Sequence, residues 1–146
     1  MSFTGIDGLD RSIHTTNRWI AKTAEAFGTE DRVFTYRALR AWMHTLRDRL
    51  TVEAAAHLAA QLPELLRGVY YDGWSPSHVP HKYDAHEFMV HFAKDAGISR
   101  DDVPKTAAII TEVVVDLITP GAVAQALRQL PEELRLLLQP SGEPGR

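Results

Sequence analysis

The stretch QLPELLR at residues 61–67 returns as QLPEELR at residues 129–135, 68 positions later. A repeat of this period limits the fold more than any other feature, because both copies must form the same supersecondary unit and bury matching faces. The match extends backwards. Thr51 coincides with Thr119 at the same offset, and further back the offset becomes 69, pairing Trp19 with Phe88, Ala24 with Ala93 and Gly28 with Gly97.

Each copy reads as four helices. In the first, a helix from about Asn17 stops at Gly28, the residue type that most readily ends a helix in the left-handed conformation. A second helix carries Val33, Tyr36, Leu39, Met43, Leu46 and Leu50 at helical spacing. Thr51 is expected to cap an alanine-rich third helix, and Pro63 to open a short fourth bearing Leu65, Leu66, Val69 and Tyr70. The second copy repeats the plan: Gly97 as a stop, Asp101 or Asp102 as a cap with Pro104 in the first turn, Thr119-Pro120 as cap and opener, and Pro131 opening the last helix. Val113 to Val115 are β-prone in isolation, but the repeat sets them on Thr45 to Arg47 inside a helical register. The expected fold is all-α, with two pseudo-repeated units of about four helices packed as one compact helical domain. Its divisions are an N-terminal extension over 1–16 that drapes on a helix groove, units over 17–73 and 85–139, a linker over 74–84 and a disordered tail over 140–146.

Composition removes several function classes. With 45% hydrophobic residues the 146-residue chain can bury a core. A net charge of -3 argues against a dedicated nucleic-acid binder. With no cysteine there is no disulfide, thiol nucleophile or thiolate metal site, and a reducing cytoplasm is the expected compartment. The N-terminus lacks the basic and apolar regions of a signal peptide. The longest apolar run, Ala107 to Ile118, is interrupted by Thr111, Glu112 and Asp116, well short of the roughly 20 residues of a membrane span.

Several blocks carry a family resemblance: TGIDGLDRSIHTTNRWI near the start, YRALRAWMHTLRDRLTVEAAAHLAAQLPELLRGVYYDGW through the first copy, and HEFMVHFA and LPEELR in the second. Together they resemble the bacterial family called domain of unknown function 2267, over nearly the whole chain. The resemblance implies a helical fold with this duplicated organisation. It implies no activity and no catalytic residues.

Three polar or aromatic groups are candidates for function. Arg37, Arg40, His44 and Arg47 form a basic stripe on the second helix, at spacings of 3, 4 and 3. It reads as a docking strip for an acidic partner or phosphate-bearing ligand, or as a solvated face paired to Glu30, Asp31 and Asp48. The second copy has Lys105, Ala108, Glu112 and Val115 there, so the fold does not require the stripe. Tyr70, Tyr71 and Trp74 gather at the joint between copies, as packing or as the wall of a cleft. His78, His81 and Asp84 lie in the linker and could converge on a metal with His86. His86 and His91 cannot chelate one ion from a regular helix, since five residues turn them about 140° apart. The simpler reading makes Pro76 and Pro80 linker stiffeners, Asp84 a helix cap and Glu87–His91 an exposed pair. Across the repeat, His44, His57, His86 and His91 face Glu112, Gln125, Asn17 and Lys22, all compatible with solvent.

The second helix of the second copy is apolar over more of its circumference, with Ile109, Val113 and Val115 replacing Ala41, Thr45 and Arg47. Something must cover it: the N-terminal segment, the other copy or a dimer partner. No nucleophile elbow, phosphate loop or paired-carboxylate motif is present. The expectation is a non-enzymatic interaction or regulatory module without a cofactor, engaging a protein partner or itself, and neither nucleic acid nor membrane. The alternative is a small-ligand or metal-binding protein using the cleft between copies and the linker histidines.

Overall fold

A computed structural model describes residues 3–140, and all of the expected tail over 140–146 except Pro140 lies outside them. The described residues form eight α-helices and no strand: α1 (Asp7–Phe27), α2 (Arg32–Arg49), α3 (Val52–Ala59), α4 (Glu64–Tyr71), α5 (Ala85–Ala96), α6 (Val103–Leu117), α7 (Ala122–Leu127) and α8 (Glu132–Leu138). Four precede the linker and four follow it.

Local chemistry sets most boundaries. Gly28 and Gly97 end α1 and α5 in the left-handed conformation, at φ 73° and 71°. Asp31 and Thr51 accept hydrogen bonds from the N–H groups of Phe34 and Ala54, capping α2 and α3. Asp84 caps α5 in a full capping box: its carboxylate accepts from Glu87 N at 2.8 Å, and the Glu87 carboxylate accepts from Asp84 N at 3.2 Å. Replacing Asp84 with alanine is expected to cost about 1 kcal/mol, read from the urea midpoint.

Two expected caps are absent. Asp102 makes no side-chain cap at α6; Ser99 instead caps the short 3-10 turn that leads in. Thr119 does not cap α7. That helix starts after Gly121, which sits at φ 85°, and the Thr119 carbonyl accepts from Ala122 N in a preceding turn.

The first helix begins at Asp7, ten residues before the expected Asn17. Gly5 and Gly8 suggested an irregular lead-in, but tertiary contacts and end chemistry outweigh their low propensity. Asp7 and Asp10 lie in the first turn, where the helix dipole favours carboxylates, and Asp10 accepts from both the backbone and the hydroxyl of Thr4. Ser12 then accepts the N–H of Leu65 at 2.8 Å. Pro63 offers α4 no side-chain cap, so α1 satisfies one of that helix's orphan donors.

The central element is α2, packed against α1, α4, α5 and α6. Leu39, Trp42, Met43 and Leu46 are buried in one core with Phe88, Phe92, Ile110, Val114 and Leu134. Val33, which shares the helical spacing of these apolar residues, is 72% exposed. The Trp42 indole N–H donates to the Thr111 hydroxyl at 3.0 Å, a buried bond between α2 and α6. The apolar circumference of α6 is covered internally by α1 on one side. Val113 is buried, Ile109 half-buried and Val115 exposed. No described helix is long and apolar enough to cross a membrane.

Candidate functional site

The basic stripe of α2 turns inward to the C-terminus of α4. The Arg47 guanidinium is buried, with its Nη1 donating to the carbonyls of Tyr70 and Asp72 at 2.7 and 2.9 Å and its Nε donating to Asp48 at 2.8 Å. His44 Nε2 donates to the Val69 carbonyl at 2.6 Å. Arg40 sits farther out, 3.5 Å from the Asp72 carboxylate. Helix C-termini leave carbonyls unpaired and carry partial negative charge, so these donors cap α4. A continuous docking strip needs all four side chains at the surface, and here His44 and Arg47 are consumed inside. Of the four, Arg37 is the exposed one, and its guanidinium lies over Gly97 and donates to the Asp95 carbonyl at 3.5 Å at the end of α5.

A carbonyl can only accept, so the His44 proton resides on Nε2 in the neutral ring. Burial holds the His44 pKa below the ordinary 6.5. The Val69 bond opposes that shift, while the charges of Arg47 and Arg40 reinforce it. The unfolded chain therefore takes up a proton near pH 6.5 that the folded chain does not. His44 contributes stability above that pH, and the contribution is lost as pH falls through 6.5 toward the depressed folded value. Urea midpoints of the native chain should drop more steeply between about pH 7 and pH 5 than those of His44→Gln. Equal slopes would contradict the buried neutral imidazole.

The aromatic joint is packed rather than open. Tyr70 is fully buried, its hydroxyl donating to the Ala55 carbonyl at 2.9 Å, and burial pushes its phenol well above the usual range. Tyr71 lies between Tyr70 and Trp74, edge-on to the first and tilted to the second, with ring centroids 5.3 and 5.1 Å away. The indole nitrogen of Trp74 is buried without a hydrogen-bond partner.

The four residues considered for a metal are not brought together. Asp84 is committed to its capping box. His78 shares a 2.6 Å hydrogen bond with Ser75, and His81 stacks on Tyr83 with centroids 5.5 Å apart. His86 is exposed at the start of α5. Among the described residues no three histidine, aspartate or glutamate side chains form a group that could hold a metal. His91 is exposed, as expected, and its ring lies 4.6 Å from that of Tyr83.

Elsewhere, a groove of about 590 Å³ lies between α3 and α7. Its first wall presents Thr51, Glu53, His57 and Gln61; its second presents Thr119, Gln125, Arg128 and Gln129. Leu58 and Ala126 are buried beneath, with Ala54 and Ala122 beside them, so the base is made of small or aliphatic side chains. One carboxylate and one guanidinium leave the lining without a dominant charge. Sequence reasoning noted His57 and Gln125 only as surface positions. The available signal was that polar residues stand at both members of several repeat pairs around an alanine-rich helix.

A family model described as "Uncharacterized conserved protein (DUF2267)" matches residues 16–137. No curated protein matches the chain.

Proposed function

The chain belongs to the DUF2267 family of uncharacterised conserved proteins, and from that premise we propose that it is a non-enzymatic helical module that binds a partner protein in the groove between α3 and α7. The groove itself carries the reading. It is formed by one helix from each half of the chain, and its walls are mainly neutral hydrogen-bonding groups above an aliphatic base. Small-molecule sites are usually lined by apolar and aromatic side chains that surround the ligand. This groove has no aromatic lining residue and opens to solvent, which favours a protein segment over a small ligand. The basic stripe is set aside as the binding surface because two of its members cap α4.

The absence of cysteine makes a test direct. Gln125→Cys carries a single thiol in the groove, and Val33→Cys carries one at a 72% exposed site on α2. With a benzophenone attached to each, photolysis in extract of the source cells should give one discrete protein adduct from the groove variant and none from the control. Excess unlabelled chain should compete it away. The same adducts from both positions would contradict the proposal.

A further inference from the structure

We infer that the groove takes an extended stretch of polypeptide, held through its main chain; this rests on the reading of the groove as a partner site. The lining residues come in pairs 68 positions apart, so each wall contributes a threonine, an alanine and a glutamine: Thr51 with Thr119, Ala54 with Ala122, Gln61 with Gln129. Both walls thus offer similar chemistry to whatever lies between them. A primary amide has donors and an acceptor on one planar group, the complement of a peptide unit's C=O and N–H. An extended chain points those groups alternately to either side. A helix has already used them internally, and would present only side chains to the glutamines.

The eight residues of α3 span about 12 Å, the reach of about four extended residues. Alanines at the base let a backbone approach closely. Glu53 and Arg128 oppose each other in sign, so the lining has no cluster of cations for a phosphate. The expected ligand is a short, largely uncharged segment with small side chains toward the base.

Selection of linear ten-residue peptides from a random phage-displayed library supplies the probe. Two variants at accessible positions interrogate it, each checked for unchanged helical content by circular dichroism. Gln125→Trp fills the groove, and Gln61→Leu with Gln129→Leu removes paired amides without filling it. Enriched peptides should lose binding to the first variant and weaken about tenfold or more on the second. Isotope-edited spectra of the bound peptide should show the strong sequential Hα–HN contacts of an extended chain. A helical bound peptide, or full affinity for the double leucine variant with binding lost in Gln125→Trp, would overturn the main-chain inference and leave the groove as a partner site. Full affinity for Gln125→Trp, or no enrichment on the native chain, would overturn both.

Discussion

Arg47→Met is expected to lower folding stability by about 3–5 kcal/mol, the largest loss from any polar substitution proposed for this chain. Methionine keeps much of the aliphatic volume and removes every donor. The carbonyls of Tyr70 and Asp72 and the carboxylate of Asp48 would each lose a charge-assisted bond in a region where the guanidinium side chain is only 5% exposed. Hydrogen bonds to charged groups contribute roughly 1.5–3 kcal/mol apiece, and they do not add fully when they share one donor group. Arg40→Ala provides the contrast. Its 3.5 Å pair with Asp72 is between side chains 37% and 74% exposed, so the loss should stay below about 1 kcal/mol. Urea denaturation of both variants measures the two roles on one scale. Equal, small losses would mean that Arg47 is ordinary surface and that the cap on α4 is not structural.

Trp42→Ala should cost about 3–5 kcal/mol, the range for truncating a buried aromatic. Trp42 is 1% exposed at the centre of α2, the helix that touches α1, α4, α5 and α6. The void would open where the two halves of the chain meet. The polar contribution separates from the packing. Thr111→Val leaves the indole N–H buried without its acceptor, which costs about 1–3 kcal/mol, and Trp42→Phe removes the donor while Thr111 keeps its bond to the Ala107 carbonyl. Thermal unfolding followed by circular dichroism should rank them with Trp42→Ala the least stable. If Trp42→Ala and Trp42→Phe unfold together, the core around α2 collapses onto the space far more readily than its packing implies.

The all-helical class, the two glycine stops and the Thr51 and Asp84 caps were legible in the sequence because they are decided within a few residues. Gly28 and Gly97 both end their helices in the left-handed conformation, and Trp19 and Phe88 are both buried. What depends on neighbours distant in sequence was not legible. His44 and Arg47 were assigned to a surface stripe by periodicity, but α2 is surrounded, and its polar side chains point at carbonyls about 25 residues away. The comparison of His44 with Glu112 misled for the same reason: Glu112 is exposed, while His44 meets the end of α4. The early start of α1 depends on Leu65 and on helices it packs against, which the local glycines cannot reveal. The groove was missed because its residues are individually ordinary. Only the meeting of α3 with α7 gives them a shared concavity.

The most direct test compares the two candidate surfaces against one partner. Affinity of the partner recovered by groove crosslinking should be measured for Gln61→Arg with Gln125→Arg, and separately for Arg37→Glu with Arg40→Glu, using isothermal calorimetry on chains of unchanged helical content. The groove pair is expected to weaken binding at least about tenfold and the stripe pair to leave it within about twofold. Loss confined to the stripe pair, with the groove pair binding as the native chain does, would contradict the account.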